Sequence, residues 1–200
     1  MKNDCIIYDF ETLGKNPKES VVLSMAALPF TEERFTSDNP YTYEELLYST
    51  KYLKFDAQEQ VTVYKRKIDN ITLQWWTKQP AEARKSLAPS DSDAPLTDLY
   101  PFLMDLIDDP AHAKKVYTRG NTFDPLFLES LLEAIDKQDP FPWWIVRDTR
   151  SMIEGMTFGT DIKNNFVPDE LKDKFVPHNP IHDVSIDVMR IQYIARILTS

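Results

Sequence analysis

The chain carries a single cysteine, Cys5, so no internal disulfide is available to it. With only three histidines, it also lacks the clustered His and Cys donors that a zinc site usually shows. No apolar run reaches the ~20 residues of a membrane-spanning helix, and the opening MKNDCIIYDF has no secretory apolar segment or cleavage site. A cytosolic, reducing setting is the expectation. Basic residues are the minority, 23 Lys and Arg against 32 Asp and Glu, for a formal net charge of −9. Such a chain repels polyanions at long range, which counts against a sequence-specific duplex-DNA binder. Any nucleic-acid partner must be met through a local basic patch or bound cations. Internal repeats and low-complexity segments are absent, and 200 residues with 42% hydrophobic content suffice for one domain, residues 1–200.

What is present is an ordered series of apolar segments. Ile6–Phe10, Val21–Phe30 and Tyr48–Phe55 read as three strands separated by turn formers such as Gly14, Pro17, Asn39 and Pro40, which suggests an antiparallel meander. Helical patterns follow at Thr72–Lys78, entered through Asp69 and Asn70, and around Ala81–Lys85, before the loop-forming SLAPSDSDAP at 86–95. Leu96–Ile107 has helical spacing, Lys115–Thr118 reads as a strand, and Pro125–Ile135 as a strong helix. Trp143–Val146 is a further short strand, Thr149–Ile153 starts a helix, Gly155–Pro180 is largely irregular, and Val184–Leu198 closes the chain as an amphipathic helix. An α/β domain follows, with a mixed sheet that is antiparallel over its first three strands, then parallel, and flanked by helices. A ribonuclease H-like sheet is one such architecture.

Four acids and a histidine stand out against this background. Asp9 and Glu11 lie at i and i+2 of the first strand and project together, with Tyr8 and Phe10 on the opposite face. Two adjacent carboxylates raise each other's pKa unless a cation neutralises them, and a hard divalent ion accepts oxygen ligands; two solvated acids just past the strand are the alternative. Asp124 precedes Pro125, where it serves as a helix N-cap, as a ligand, or as both, with Phe123 and Leu128 placed as a hydrophobic staple. HNPIHDVSID offers the same spacing twice: His178 with Asp183, or His182 with Asp187. Because Pro180 bars a helix from running through the first pair and Asp183 stands at the N-cap position before Val184, the second pair is preferred.

DFET at 9–12, the helix start at Asp124 and H-x4-D at 182–187 resemble, in order, the three motifs of the DEDDh group of 3′→5′ exonucleases. TLQWWTKQP at 72–80, RGNTFD at 119–124 and VRDTR at 146–150 further resemble the branch containing exonuclease A of T-even phages and related bacterial exoribonucleases. The resemblance implies hydrolysis of the terminal phosphodiester from the 3′ end with release of nucleoside 5′-monophosphates. Asp9, Glu11, Asp124 and Asp187 would hold two divalent cations, Mg²⁺ or Mn²⁺, with His182 as general base. It also implies that Thr12 and Leu13 meet the 3′-terminal nucleotide, Leu13 packing on the base. For a phage-encoded chain the setting would be the host cytoplasm.

Trp75 and Trp76 lie ~100° apart on a helix, so one can face a cleft as a base-stacking platform while the other packs inside. Arg119 and Asn121 fall in a loop before Asp124, where they meet substrate or solvent. The RDTR segment reads as structural, with Asp148 as a cap and Arg150 as a substrate candidate. Single-stranded DNA is the favoured polymer and RNA the alternative; a catalytically silent nucleic-acid binding module is the reading from another class. The aromatic 141–144 stretch and the Trp pair would suit a homodimer interface.

Overall fold

Ile6, Tyr8 and Phe10 alternate with Cys5 and Ile7 along β1 (Cys5–Thr12), and both rows are buried, the signature of a central strand covered on two sides. The computed structural model, which describes residues 3–106 and 113–199, bears this out. β1 pairs antiparallel with β2 (Val22–Phe30), which pairs antiparallel with β3 (Lys51–Lys54). On its other side β1 runs parallel to β4 (Lys115–Thr118), and β4 parallel to β5 (Val146–Asp148). The order β3-β2-β1-β4-β5 is the expected mixed sheet, antiparallel first and then parallel.

One face of the sheet packs Ile6, Tyr8 and Phe10 against Leu99 and Leu103 of α4 (Leu99–Met104) and Phe127, Leu128 and Leu131 of α5 (Asp124–Ala134). The other packs Cys5, Ile7, Ala26 and Leu28 against Ile153 of α6 (Thr149–Met156) and Val184, Val188 and Ile191 of α7 (Pro180–Thr199). Asp9 and Glu11 continue the row of Cys5 and Ile7, so they point towards α7.

Two helices stand where none was expected, and the first takes the start of the third strand. Tyr48 belongs to α1 (Tyr43–Ser49), whose start is fixed by the Thr42 hydroxyl accepting from the Glu45 amide, and the third strand shortens to four residues. α2 (Ala57–Thr62) starts in the same way, with Asp56 accepting from Glu59 N–H at 3.0 Å. α3 (Asn70–Trp76) is capped by Asp69 as expected. The segment around Ala81–Lys85 narrows to a 3₁₀ turn at Ala83–Leu87, and Trp143–Ile145 is another 3₁₀ turn leading into β5. Ile107, at the end of an expected helix, lies outside the described residues.

α7 begins a full turn before its expected start. Pro180 occupies the first turn, where its missing N–H costs nothing, and the Asn179 side chain accepts from the Ile181 amide at 3.2 Å. Asp183 is therefore inside the first turn rather than at the cap. α5 differs as well: Asp124 is its first residue, Phe123 flanks it without a side-chain cap, and the Phe123 ring packs on Phe127 with centroids 4.8 Å apart.

Candidate active site

The carboxyl end of β1, the start of α5 and the first turn of α7 converge on a cleft of about 870 Å³. β1 supplies Asp9, Glu11 and Thr12 to its wall, and α5 supplies Asp124, whose Oδ1 accepts from the Phe10 amide at 3.1 Å. That bond fixes the third acid against the strand bearing the first two. Glu11 and Asp124 are buried, and a ligand atom from each of Glu11, His178 and Asp183 lies within 4.8 Å of the others.

The last pair is the other register from the one expected. His178 precedes α7 with φ +61, a left-handed conformation uncommon for a residue with a side chain, and its ring reaches the cleft. His182 is turned away: its Nδ1 meets the Tyr43 hydroxyl at 2.9 Å and the Val176 amide at 3.3 Å, and it does not line the cleft. Asp187 is 1% exposed and committed to protein partners. Its Oδ1 accepts from Arg119 at 2.8 Å and Arg190 at 2.5 Å, and its Oδ2 from the Thr149 hydroxyl at 2.6 Å. His182 and Asp187, the expected pair, thus lie outside the cleft lining: helix α7 starts at Pro180, and the residues that reach the cleft are His178 and Asp183, one turn earlier.

The electrostatics follow from this division. Buried Arg190 and half-buried Arg119 are spent on Asp187, and among the described residues no ion pair forms at Asp9, Glu11, Asp124 or Asp183. Burial, followed by repulsion from Asp124 and Glu11, pushes the Asp9 carboxyl well above its usual range; burial and then Asp183 do the same to Glu11. Asp124 is raised to about 7 by burial, against the stabilising Phe10 amide, and Asp183 to about 7 by burial and then Asp187. A pocket of unpaired oxygen donors is what a hard divalent cation fits, and cation binding would reverse these shifts. Burial lowers the His178 pKa, which keeps the imidazole neutral and able to accept a proton near neutral pH.

The remaining expected contacts divide. Trp75 lines the cleft and is 41% exposed, whereas Trp76 is fully buried and donates its indole N–H to the Thr12 carbonyl at 3.0 Å. Leu13 is also a core residue, packed with Val21, Leu23 and Trp76, and its amide donates to the Val21 carbonyl at 2.8 Å. Trp76 and Leu13 are thus corrected from substrate contacts to packing residues that hold the strand end. Asn121 lies outside the cleft lining, its side chain accepting from the Thr118 hydroxyl and its amide donating to Asp148. Arg119 and Arg150 do line the cleft, Arg119 through its ion pair with Asp187 and Arg150 at the exposed rim. Asp148 caps α6 by accepting from the Ser151 amide at 3.0 Å, the structural part expected of RDTR.

Sequence reasoning missed Lys15, Ile71 and Phe123 in the lining. Ile71 precedes Trp75 by one helical turn, so the i, i+4 rule would have placed it on the same face. Lys15 directly follows Gly14, where an added methyl would stand 2.8 Å from Ser20 Cβ; only glycine lets the turn after β1 close this tightly.

The chain is 30% identical over 207 residues to the exodeoxyribonuclease of Enterobacteria phage T4, covering 95% of this chain and 88% of the phage protein. Among solved structures it superposes on E. coli exonuclease I in complex with a dT13 oligonucleotide with a TM-score of 0.58 at 15% identity, covering 98% of this chain. A zinc-bound form of the same enzyme with single-stranded DNA matches with a TM-score of 0.58 at 16% identity, covering 100% of this chain. The chain spans about two-fifths of exonuclease I, 41% in both cases, and that likeness shows the ribonuclease H-like fold alone. The model of the 3′-5′ exoribonuclease Rv2179c-like domain matches residues 4–195; the chain belongs to this family and is a 3′-5′ exonuclease.

Proposed function

We propose that the chain is a DEDDh-type exonuclease that removes nucleoside 5′-monophosphates from the 3′ end of single-stranded DNA. Asp9, Glu11, Asp124 and Asp183 would hold two divalent cations, Mg²⁺ or Mn²⁺, and His178 would act as general base. The observation carrying this reading is the gathering, in one cleft, of an imidazole and four carboxylates without ion-pair partners among the described residues. When bound, the cations neutralise charge and supply Lewis-acid stabilisation at the scissile phosphate. The protein's own groups do the rest. His178 takes the proton of the attacking water. Ile71, Trp75 and Phe123 give the cleft an apolar wall on which an unpaired base packs, and Lys15 and Arg150 place positive charge at the rim for phosphates.

DNA is favoured because the phage relative is an exodeoxyribonuclease matched over nearly its whole length. The family's description as exoribonuclease supports RNA as the second reading. The test compares matched 3′-labelled DNA and RNA strands in Mg²⁺ or Mn²⁺. Faster mononucleotide release from DNA is the expected result, faster release from RNA would transfer the assignment, and tight binding without hydrolysis would point to a silent binding module.

A further inference from the structure

The imidazole of His178 is poorly anchored for a group that must meet a proton at a fixed place. It lies in the stretch before α7, and among the described residues no hydrogen bond holds its ring; His182, one helical turn on, is held by Tyr43 and Val176. What touches the His178 ring is Trp75, edge to face, with centroids 4.7 Å apart and planes at 79°. Trp75 is in turn set against Trp76, with centroids 5.4 Å apart and planes again at 79°. Trp76 is immobile: it is fully buried and its indole N–H is bonded to the carbonyl of Thr12, the residue next to Glu11. An unbroken series of contacts thus runs from the end of β1 through both tryptophans to the imidazole, whose ligand atom lies within 4.8 Å of those of Glu11 and Asp183.

We propose that Trp75 is a positioning residue for His178, its ring holding the imidazole over Glu11 and Asp183. The proposal rests on the reading of His178 as general base. It gives the adjacent tryptophans separate tasks, Trp76 as anchor and Trp75 as a wall for the imidazole. A packing contact suits this purpose because it fixes the ring without occupying either nitrogen, so the atom that accepts the proton stays free.

The experiment measures kcat and KM on 3′-labelled oligo-dT with Mg²⁺ for Trp75→Ala, Trp75→Phe, His178→Ala and the Trp75→Ala/His178→Ala double variant. A displaced base costs about 10²-fold in rate for a misplacement of ~1 Å. Trp75→Ala is therefore expected to lower kcat about 10- to 100-fold, over and above any KM rise from lost base stacking. Trp75→Phe, which keeps a ring against the imidazole, restores most of kcat. In the His178→Ala background Trp75→Ala lowers kcat far less than it does in the otherwise unaltered protein, since there is no imidazole left to position. A KM effect with unaltered kcat, or a kcat loss undiminished in the double variant, overturns the proposal. Unimpaired kcat in His178→Ala would instead overturn the assignment of the base, and the two failures are told apart by that single variant.

Discussion

Exchanging Asp183 and Asp187 separately for Asn separates the two registers of the closing motif, because the structure gives the two acids opposite energetic roles. Asp187 is 1% exposed and is the shared partner of Arg190, 5% exposed, and Arg119. Removing its charge leaves a buried guanidinium uncompensated, which costs about 3–5 kcal/mol when a buried pair is broken. At about 2–4 °C per kcal/mol for a domain of this size, Tm should fall by about 6–20 °C. Asp183 forms no such ion pair among the described residues, and burial, then repulsion from Asp187, raises its pKa to about 7, so Asp183→Asn removes a charge that is costly to bury and should leave the metal-free Tm unchanged or higher. Its effect should fall on the reaction. A lost cation ligand forfeits several kcal/mol of charge stabilisation in the transition state, roughly 10²- to 10³-fold in rate. The assay pairs thermal denaturation with Mg²⁺-dependent release of mononucleotide at 20 °C, rates being corrected for the folded fraction. A folded but inactive Asp187→Asn beside a fully active Asp183→Asn would refute the reasoning and restore the register preferred from sequence.

The acid cluster should also make the metal-free protein less stable as pH rises. Asp124 and Asp183, raised from 3.8 to about 7, keep protons in the folded state that the unfolded chain has released, as do Asp9 and Glu11. The contribution of each is full below its unfolded pKa and is lost as pH climbs through its folded pKa, about 7 for Asp124 and Asp183; Asp139, raised to about 6 by burial, acts with the same sign. The lowered pKa values of His178 and His182 act oppositely, as do the depressed carboxylates Asp4, Glu44, Glu45, Asp69, Asp105 and Asp169, whose effect is confined to the acid end of the range. Metal-free Tm should therefore decline from pH 4 to 7.5, and Mg²⁺ or Mn²⁺ at 100 times its Kd should restore about 2.7 kcal/mol, or about 5–11 °C, at the upper end. A flat profile in chelator, or no response to either cation, would contradict the cluster's assignment. Trp76→Ala, which removes a fully buried ring and its bond to Thr12, should cost about 3–5 kcal/mol in urea denaturation, whereas a cost below about 1 kcal/mol would show that Trp76 is not the anchor inferred from its burial.

The strand bearing Asp9 and Glu11 was legible because its demands are local: two apolar rows mark a covered strand, and alternation puts the two acids on one side. The sheet's change from antiparallel to parallel was legible in the same way, from strands that first follow one another and then alternate with helices. The missed helices α1 and α2 were also written locally, as Thr42 with Glu45 and Asp56 with Glu59, side chain and amide three residues apart. Tyr48, Tyr52, Leu53 and Phe55, which resemble one strand over 48–55, concealed the end of α1.

The closing motif was ambiguous for a different reason. Residues 183 and 187 are one helical turn apart and lie on one face, so periodicity cannot choose between them. Treating Pro180 as a bar to the helix moved its start to Val184 and put Asp183 at the cap, when proline in a first turn is an initiator. The discriminating information was partly local, since Arg190 stands three residues after Asp187 and reads as its ion-pair partner. The rest was tertiary: Arg119 follows β4 and Thr149 opens α6, and only the parallel placement of β4 and β5 brings both to Asp187. An acid that finds three side-chain donors in the fold is committed to them, while one whose donor is the His178 backbone amide is costly to bury until a cation arrives. Partner count, which sequence spacing does not encode, therefore decides which carboxylate of a repeated motif faces the chemistry.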